Sequence, residues 1–236
     1  MPTLADAVTQ IQAAGLPVLF ADTCSLVDPI RTPLRPAELK DCIEAAQELL
    51  QLVPMPPLRC TLVIASFVHG EWLTHAGTEA DQLRLALAHV DELAGRLHDF
   101  CVVAGITPPF PRPEYRRLPL ADTLHDLSRR LRNSAMRLEP DQDCIIRAHG
   151  RASAYVPPSR KGGEVKDATI LEECLEVSRR LKAAGFARKR VFCTSNKKDY
   201  CESGSRLFPN LAVDMGDAGM DFATSLPWAV NEIKKP

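Results

Sequence analysis

Four carboxylates, Asp22, Glu71, Asp167 and Asp199, stand where buried strands end or helices begin. Asp22 closes the apolar run 17–21 and is followed by Thr23, Cys24 and Ser25. A second run, Arg190 to Cys193, ends in Thr194, Ser195, Asn196, Lys197, Lys198, Asp199 and Tyr200. In an open parallel sheet the carboxyl ends of neighbouring strands share one crevice, and ligands bind there. Carboxylates gathered in such a crevice repel one another and raise each other's pKa values unless a cation neutralises them. Oxygen donors without Cys or His favour Mg²⁺ or Mn²⁺ over Zn²⁺.

Singly, each carboxylate also has a structural explanation. Asp22 can stabilise a turn with its own side chain, and Asp167 and Asp199 can cap helices. Glu71 suits the positive end of a helix dipole.

The elements that would position these groups follow from periodicity. A helix is expected over 3–14, closed by Gly15 and Pro17, then a strand at 18–23 and a helix at 36–52 ending before Pro54. Thr61 to Ala65 reads as a strand, running into a helix that opens near Ser66 and carries Glu71. Leu83, Leu87, Val90, Ala94 and Leu97 mark an amphipathic helix over 81–97, and 100–104 reads as a further strand. A proline-rich segment at 107–113 leads into a helix near 120–137, and a further helix is expected at about 140–149. A long helix opens at Asp167 and stops at Gly185. A strand at 190–194, a short helix after Asp199, a strand at 220–223 and a helix from Pro227 complete the chain. Alternating strands and helices predict a three-layer α/β/α fold with a mostly parallel central sheet. The simplest division is one domain over 1–236, with a helical insertion about 105–160.

Composition narrows the class. At 236 residues the chain is long enough for a large core. Nowhere are there the roughly 18 consecutive apolar residues a membrane span needs. The start lacks a basic segment followed by an apolar core, so the cytoplasm is the expected compartment. The eight cysteines are scattered without a C-x-x-C pair, which argues for reduced thiols rather than zinc. Cys24, two residues after Asp22, is the one cysteine singled out, with a structural role expected for it. A formal charge of -1 gives no global argument for a nucleic-acid partner. Locally, residues 159–198 hold eleven Lys and Arg against five Asp and Glu, and 111–137 hold seven Arg against three acids. Such basic patches beside an acidic pocket suit a phosphodiester-handling protein; solvated helix faces are the bland alternative.

Four short motifs resemble the PIN-domain nuclease superfamily. They are Asp22-Thr23 at a strand end, Glu71 on the helix after a strand, Asp167 opening a long helix, and Thr194, Asn196, Asp199 and Tyr200 in the pattern T-x-N-x-x-D-F/Y. The last resembles the motif of bacterial toxin ribonucleases from toxin–antitoxin modules. The chain is longer than those toxins, and the stretch from Lys161 to Asp167 resembles a larger PIN-like group. Cys24 departs from the Asn often found after Asp-Thr in such families.

The resemblance implies a metal-dependent endoribonuclease. Asp22, Asp167 and Asp199 would be Mg²⁺ or Mn²⁺ ligands, and Glu71 would bind a second ion or orient the attacking water. Thr23, Thr194 and Asn196 would order that shell. Ser25 and Glu164 are secondary candidates. Lys161, Lys166, Lys197 and Lys198 would steer phosphate, and Arg129, Arg130 and Arg132 are further candidates for RNA phosphate or an acidic partner protein. Tyr200 packs behind the site or stacks on a base. Implied partners are single-stranded or structured RNA, an antitoxin, and a second copy in a homodimer. The rivals are an inactive RNA-binding module on the same fold and another Mg²⁺-dependent phosphohydrolase. The latter fits poorly, since no second Asp stands two residues after Asp22.

Overall fold

The computed structural model describes residues 1–35, 41–53, 59–107, 111–112, 114–160 and 165–235. Lys161 and Glu164, and the expected helix start at 36–40, lie outside the described residues. The chain begins with α1 (Leu4–Ala14), β1 (Val18–Ala21), α2 (Thr23–Arg31), a 3₁₀ turn at Thr32–Leu34, α3 (Asp41–Leu52) and β2 (Thr61–Ile64). It continues through α4 (Val68–Val103), a 3₁₀ turn at Tyr115–Arg117, α5 (Leu120–Ser134), β3 (Met136–Arg137), α6 (Gln142–Ser153) and α7 (Val165–Ala183). It closes with β4 (Arg190–Cys193), α8 (Lys197–Tyr200), the hairpin β5 (Cys201–Ser203) and β6 (Arg206–Leu207), α9 (Pro209–Ala218), β7 (Asp221–Ala223) and α10 (Leu226–Ile233).

Five strands form one parallel sheet in the order β3-β2-β1-β4-β7. β1 is central, with Phe20 level with Val63 on one side and Phe192 on the other. All four of its residues are buried, as expected for a strand covered on both faces. Helices α1, α6, α7 and α9 pack together as one group, and α2, α3, α4, α5 and α10 as another. This is the α/β/α layering that the alternation of elements requires.

Local chemistry sets the ends of the elements. Thr3 and Asp6 form a reciprocal capping box that starts α1, and Gly15 ends it with φ +64°. Gly185, at φ +76°, turns the chain away after α7. α7 is buried on almost every side from Ala168 to Leu175, so it lies inside the molecule rather than against one face of it.

The short helix expected after Asp199 is instead α8, which contains Asp199 and is followed by the β5–β6 hairpin, and three further expectations need correction. Residues 100–104 form no strand; Phe100 to Val103 continue α4, whose 36 residues make a rod about 54 Å long. Past Leu83 its buried residues are Asp91 and Gly95, while Phe100 and Val103 are 70% and 87% exposed. Asp91 there accepts the backbone N–H groups of Tyr115 and Arg116 at 2.7 and 2.8 Å, tying the 3₁₀ turn to the rod. Second, the helix near 120–137 stops at Ser134, because Met136 and Arg137 pair with Val63 and Ile64 at the sheet edge. Third, neither Asp167 nor Asp199 caps a helix: Asp167 is the third residue of α7 and Asp199 the third of α8. Among the described residues, no helix is long and apolar enough to cross a membrane.

Candidate functional site

The strand order reverses between β1 and β4. From β1 the chain progresses outward to β2 and β3, and from β4 it progresses the other way to β7. Such a switch point opens a crevice at the carboxyl ends of the strands. Asp22 and Thr194 are the residues that follow β1 and β4, so the topology itself puts them there.

Asp22 is the N-cap of α2. Its Oδ1 accepts the N–H of Thr23 at 2.6 Å, and its Oδ2 accepts the hydroxyl of Thr194 at 2.7 Å. Its backbone N–H donates to the carbonyl of Cys193. The carboxylate is 3% exposed. Burial pushes its pKa up to about 6 against the two hydrogen bonds, and the charges of Glu71 and Asp28 raise it further.

Two arms lead outward from this carboxylate. On one, the Thr23 hydroxyl donates to Glu71 Oε2 at 2.7 Å, which ties the first turn of α4 to the start of α2. On the other, Thr194 Oγ1 accepts the backbone N–H of Asn196, whose side-chain amide reaches Asp167 Oδ2 at 3.4 Å. Asp22, Glu71 and Asp167 thus belong to one hydrogen-bonded chain that includes Thr23, Thr194 and Asn196. Asp199 does not join it: its carboxylate makes no hydrogen bond or ion pair with a described residue.

The remaining candidates sort by contact. Ser25 donates to the carbonyl of Cys193 at 2.8 Å, locking α2 onto β4 rather than facing the crevice. Burial and the nearby Asp22 push the Cys24 thiol up to about 12, leaving it a protonated, unreactive group. Tyr200 is fully buried, its ring 5.6 Å from that of Phe192 and 6.3 Å from that of Phe222, so no base can stack on it. Lys166, Lys197 and Lys198 are exposed at the rim. Arg129 is held by Asp126.

Besides Asp91, three buried acids had no place in the sequence reading. Asp28, 3% exposed, adds to the negative field on Asp22. Glu173, fully buried, accepts both the N–H and the hydroxyl of Ser66 at 2.7 Å, fixing the turn from which α4 and Glu71 depart. Glu172 is clamped by Arg147 and Arg151 of α6. No local signal singles them out: α7 is rich in charged residues, and only its packing inside the molecule shows that Glu172 and Glu173 need partners.

Among the described residues, no group of three or more His, Cys, Asp and Glu side chains is drawn together to hold a metal ion. The donor set around Asp22 is oxygen only. Comparisons with family models, with curated proteins and with solved structures find no match to this chain.

Proposed function

We propose that the chain is a divalent-cation-dependent endoribonuclease of PIN-like type, acting at the carboxyl edge of the sheet. The observation that carries this reading is Asp22. It is a buried carboxylate at the topological switch point, pushed up to about 6 and linked through hydroxyl and amide groups to Glu71 and Asp167. Burying such a group against a like charge is costly, and a function that uses a cation accounts for it.

Mg²⁺ ordinarily keeps several waters and takes one or two carboxylates plus substrate phosphate, so it needs no three-carboxylate cage. Asp22 and Glu71, with Asp167 through water, are the residues that would hold it, and Mn²⁺ asks for the same oxygen donors. Such an ion supplies Lewis acidity at the phosphate and a more acidic water. The chain's own residues do the positioning. Thr194 and the Thr23 N–H fix both oxygens of Asp22, Thr23 Oγ1 fixes Glu71, and Asn196 orients Asp167. Exposed Lys166, Lys197 and Lys198 steer the polyanion by screened attraction.

The isolation of Asp199 favours a second reading, a binding module on the same fold that holds RNA without cutting it. Cleavage of labelled single-stranded RNA by the wild type and Asp22→Asn, with Mg²⁺, Mn²⁺ or EDTA, separates the two. Metal-dependent cutting lost in the variant supports the nuclease. RNA binding indifferent to EDTA, with no cutting by either protein, supports the module.

A further inference from the structure

Two arginines at the β2–β3 end of the sheet's carboxyl edge lack, among the described residues, the anion that would satisfy them. Arg137 ends β3, level with Ile64 at the carboxyl end of β2. Arg132 lies on the last turn of α5, its guanidinium 4.1 Å from the centre of the Trp72 ring, and Trp72 directly follows Glu71 on α4. His69 stands in the first turn of α4, and the charged groups acting on it are Arg137 and Arg132.

Among the described residues, two buried donor nitrogens here have no acceptor, Nη1 of Arg132 and Nε of Arg137. Arg132 spends its Nε and Nη2 on the side-chain oxygen of Asn133, at 3.2 and 2.7 Å, which leaves Nη1 over. Among the described residues, no ion pair offsets Arg132 or Arg137. Burial, followed by the charges of Arg129 and Arg137, disfavours the charged form of Arg132. Unpaired buried donors are costly and rare in folded proteins. Here two arise from separate elements, α5 and β3, in a field of one sign.

We propose that Arg132 and Arg137, with His69 beside them, form an oxyanion site that takes a backbone phosphodiester of single-stranded nucleic acid along the β2–β3 side of the crevice. Guanidinium N–H groups in a fixed orientation match phosphate oxygens. Trp72 holds the Arg132 plane by cation–π contact and anchors its own indole N–H on Ser128 Oγ at 2.7 Å. The Arg132 donors are therefore pre-set rather than floppy. The strand leaving this site would pass Glu71 toward Asp22. The substrate class rests on the reading above, whereas the site itself stands on the cations alone.

The test is binding of a short labelled oligouridylate in EDTA, followed by fluorescence anisotropy across a salt series, for the wild type and the double variant Arg132→Gln/Arg137→Gln. The variant is expected to bind more weakly, with the slope of log affinity against log salt shallower by about 0.7, the value for one phosphate contact on a single strand. Unchanged affinity and slope overturn the site. The Nε–H resonance of Arg137 provides a second readout that does not depend on a variant folding: it should shift on adding the oligonucleotide to wild type. A shift with inorganic phosphate but none with the oligonucleotide overturns the nucleic-acid assignment. Because EDTA is present throughout, cleavage plays no part. A chain that cuts RNA with metal while the variant binds normally loses this site and keeps the nuclease reading. A chain that binds through these arginines and never cuts keeps the site and loses the nuclease.

Discussion

Thr194 donates its hydroxyl to Asp22 Oδ2 at 2.7 Å, joining the residues that follow β1 and β4 at the point where the strand order reverses. The hydroxyl oxygen of Thr194 accepts the Asn196 N–H at 3.1 Å, so one hydroxyl joins Asp22 to the arm that leads to Asp167. Thr194→Val keeps the shape and removes the donor and acceptor together. It should cost about 1–3 kcal/mol in urea denaturation, the range for leaving a buried polar group unpaired. It should also lower metal-dependent cleavage about 10–100-fold, as loss of a ligand-orienting hydrogen bond does. Thr194→Ser should restore most of both. A valine variant as active as the wild type would remove Thr194 from the site.

Asp22 links stability to pH with a defined sign. Its folded pKa, about 6, lies above its ordinary 3.8, so between these values the folded state holds the proton more tightly than the unfolded one. Stability therefore falls as pH rises from 4 through 6, and the deficit is complete above the folded value. At roughly 1.4 kcal/mol per pKa unit, two units amount to about 3 kcal/mol. Asp22→Asn should thus gain stability relative to wild type on going from pH 4 to pH 8, with urea midpoints in EDTA as the measure. Mg²⁺ should raise the wild-type melting temperature at pH 8 and leave that of the variant unchanged. A stability difference flat in pH would contradict the burial argument.

Asp199 and Asn196 should separate in mutagenesis. Asn196 reaches Asp167 and is tied to Thr194, whereas Asp199 makes no such link. Asn196→Ala is expected to reduce cleavage about 10–100-fold, and Asp199→Asn to reduce it less. The reverse ranking, read from initial rates with Mn²⁺, would mean that Asp199 supplies a ligand and that the network is mainly structural.

Which parts were legible in the sequence follows from which physics acts locally. β1 and β4 announce themselves because a strand buried on both faces needs an unbroken apolar run, and the polar residues after such runs fall at the crevice. Asp22, Thr194 and Asn196 were readable for that reason. The 100–104 segment misled because Phe100, Val102 and Val103 favour strands. With no sheet edge to join, the helix already running from Val68 simply continued. The dipeptide at 136–137 carries no strand signal of its own; pairing with β2 decides it. Arg137 and Arg132 could not be ranked above Arg129 from spacing, since only the fold shows that Asp126 holds Arg129 while the other two have no acid partner among the described residues.

Glu173 carries the last prediction. It sits inside α7, fully buried, and receives both donors of Ser66 together with a backbone hydrogen bond from Asp141. Burial pushes its pKa up even so. The carboxylate thereby holds the β2–α4 turn in place, five residues before Glu71, and joins it to the helix that bears Asp167. Glu173→Ala leaves the Ser66 donors unpaired and opens a void, which together should cost about 3 kcal/mol or more. Glu173→Gln keeps one acceptor and the volume and should cost less. If the role is positional, the glutamine variant should lose cleavage out of proportion to its stability, because the α4 turn shifts Glu71 while the fold survives. Urea midpoints and initial rates on the same preparations decide it. An alanine variant within about 1 kcal/mol of wild type would mean that water replaces the carboxylate there, and that the turn holds its shape without it.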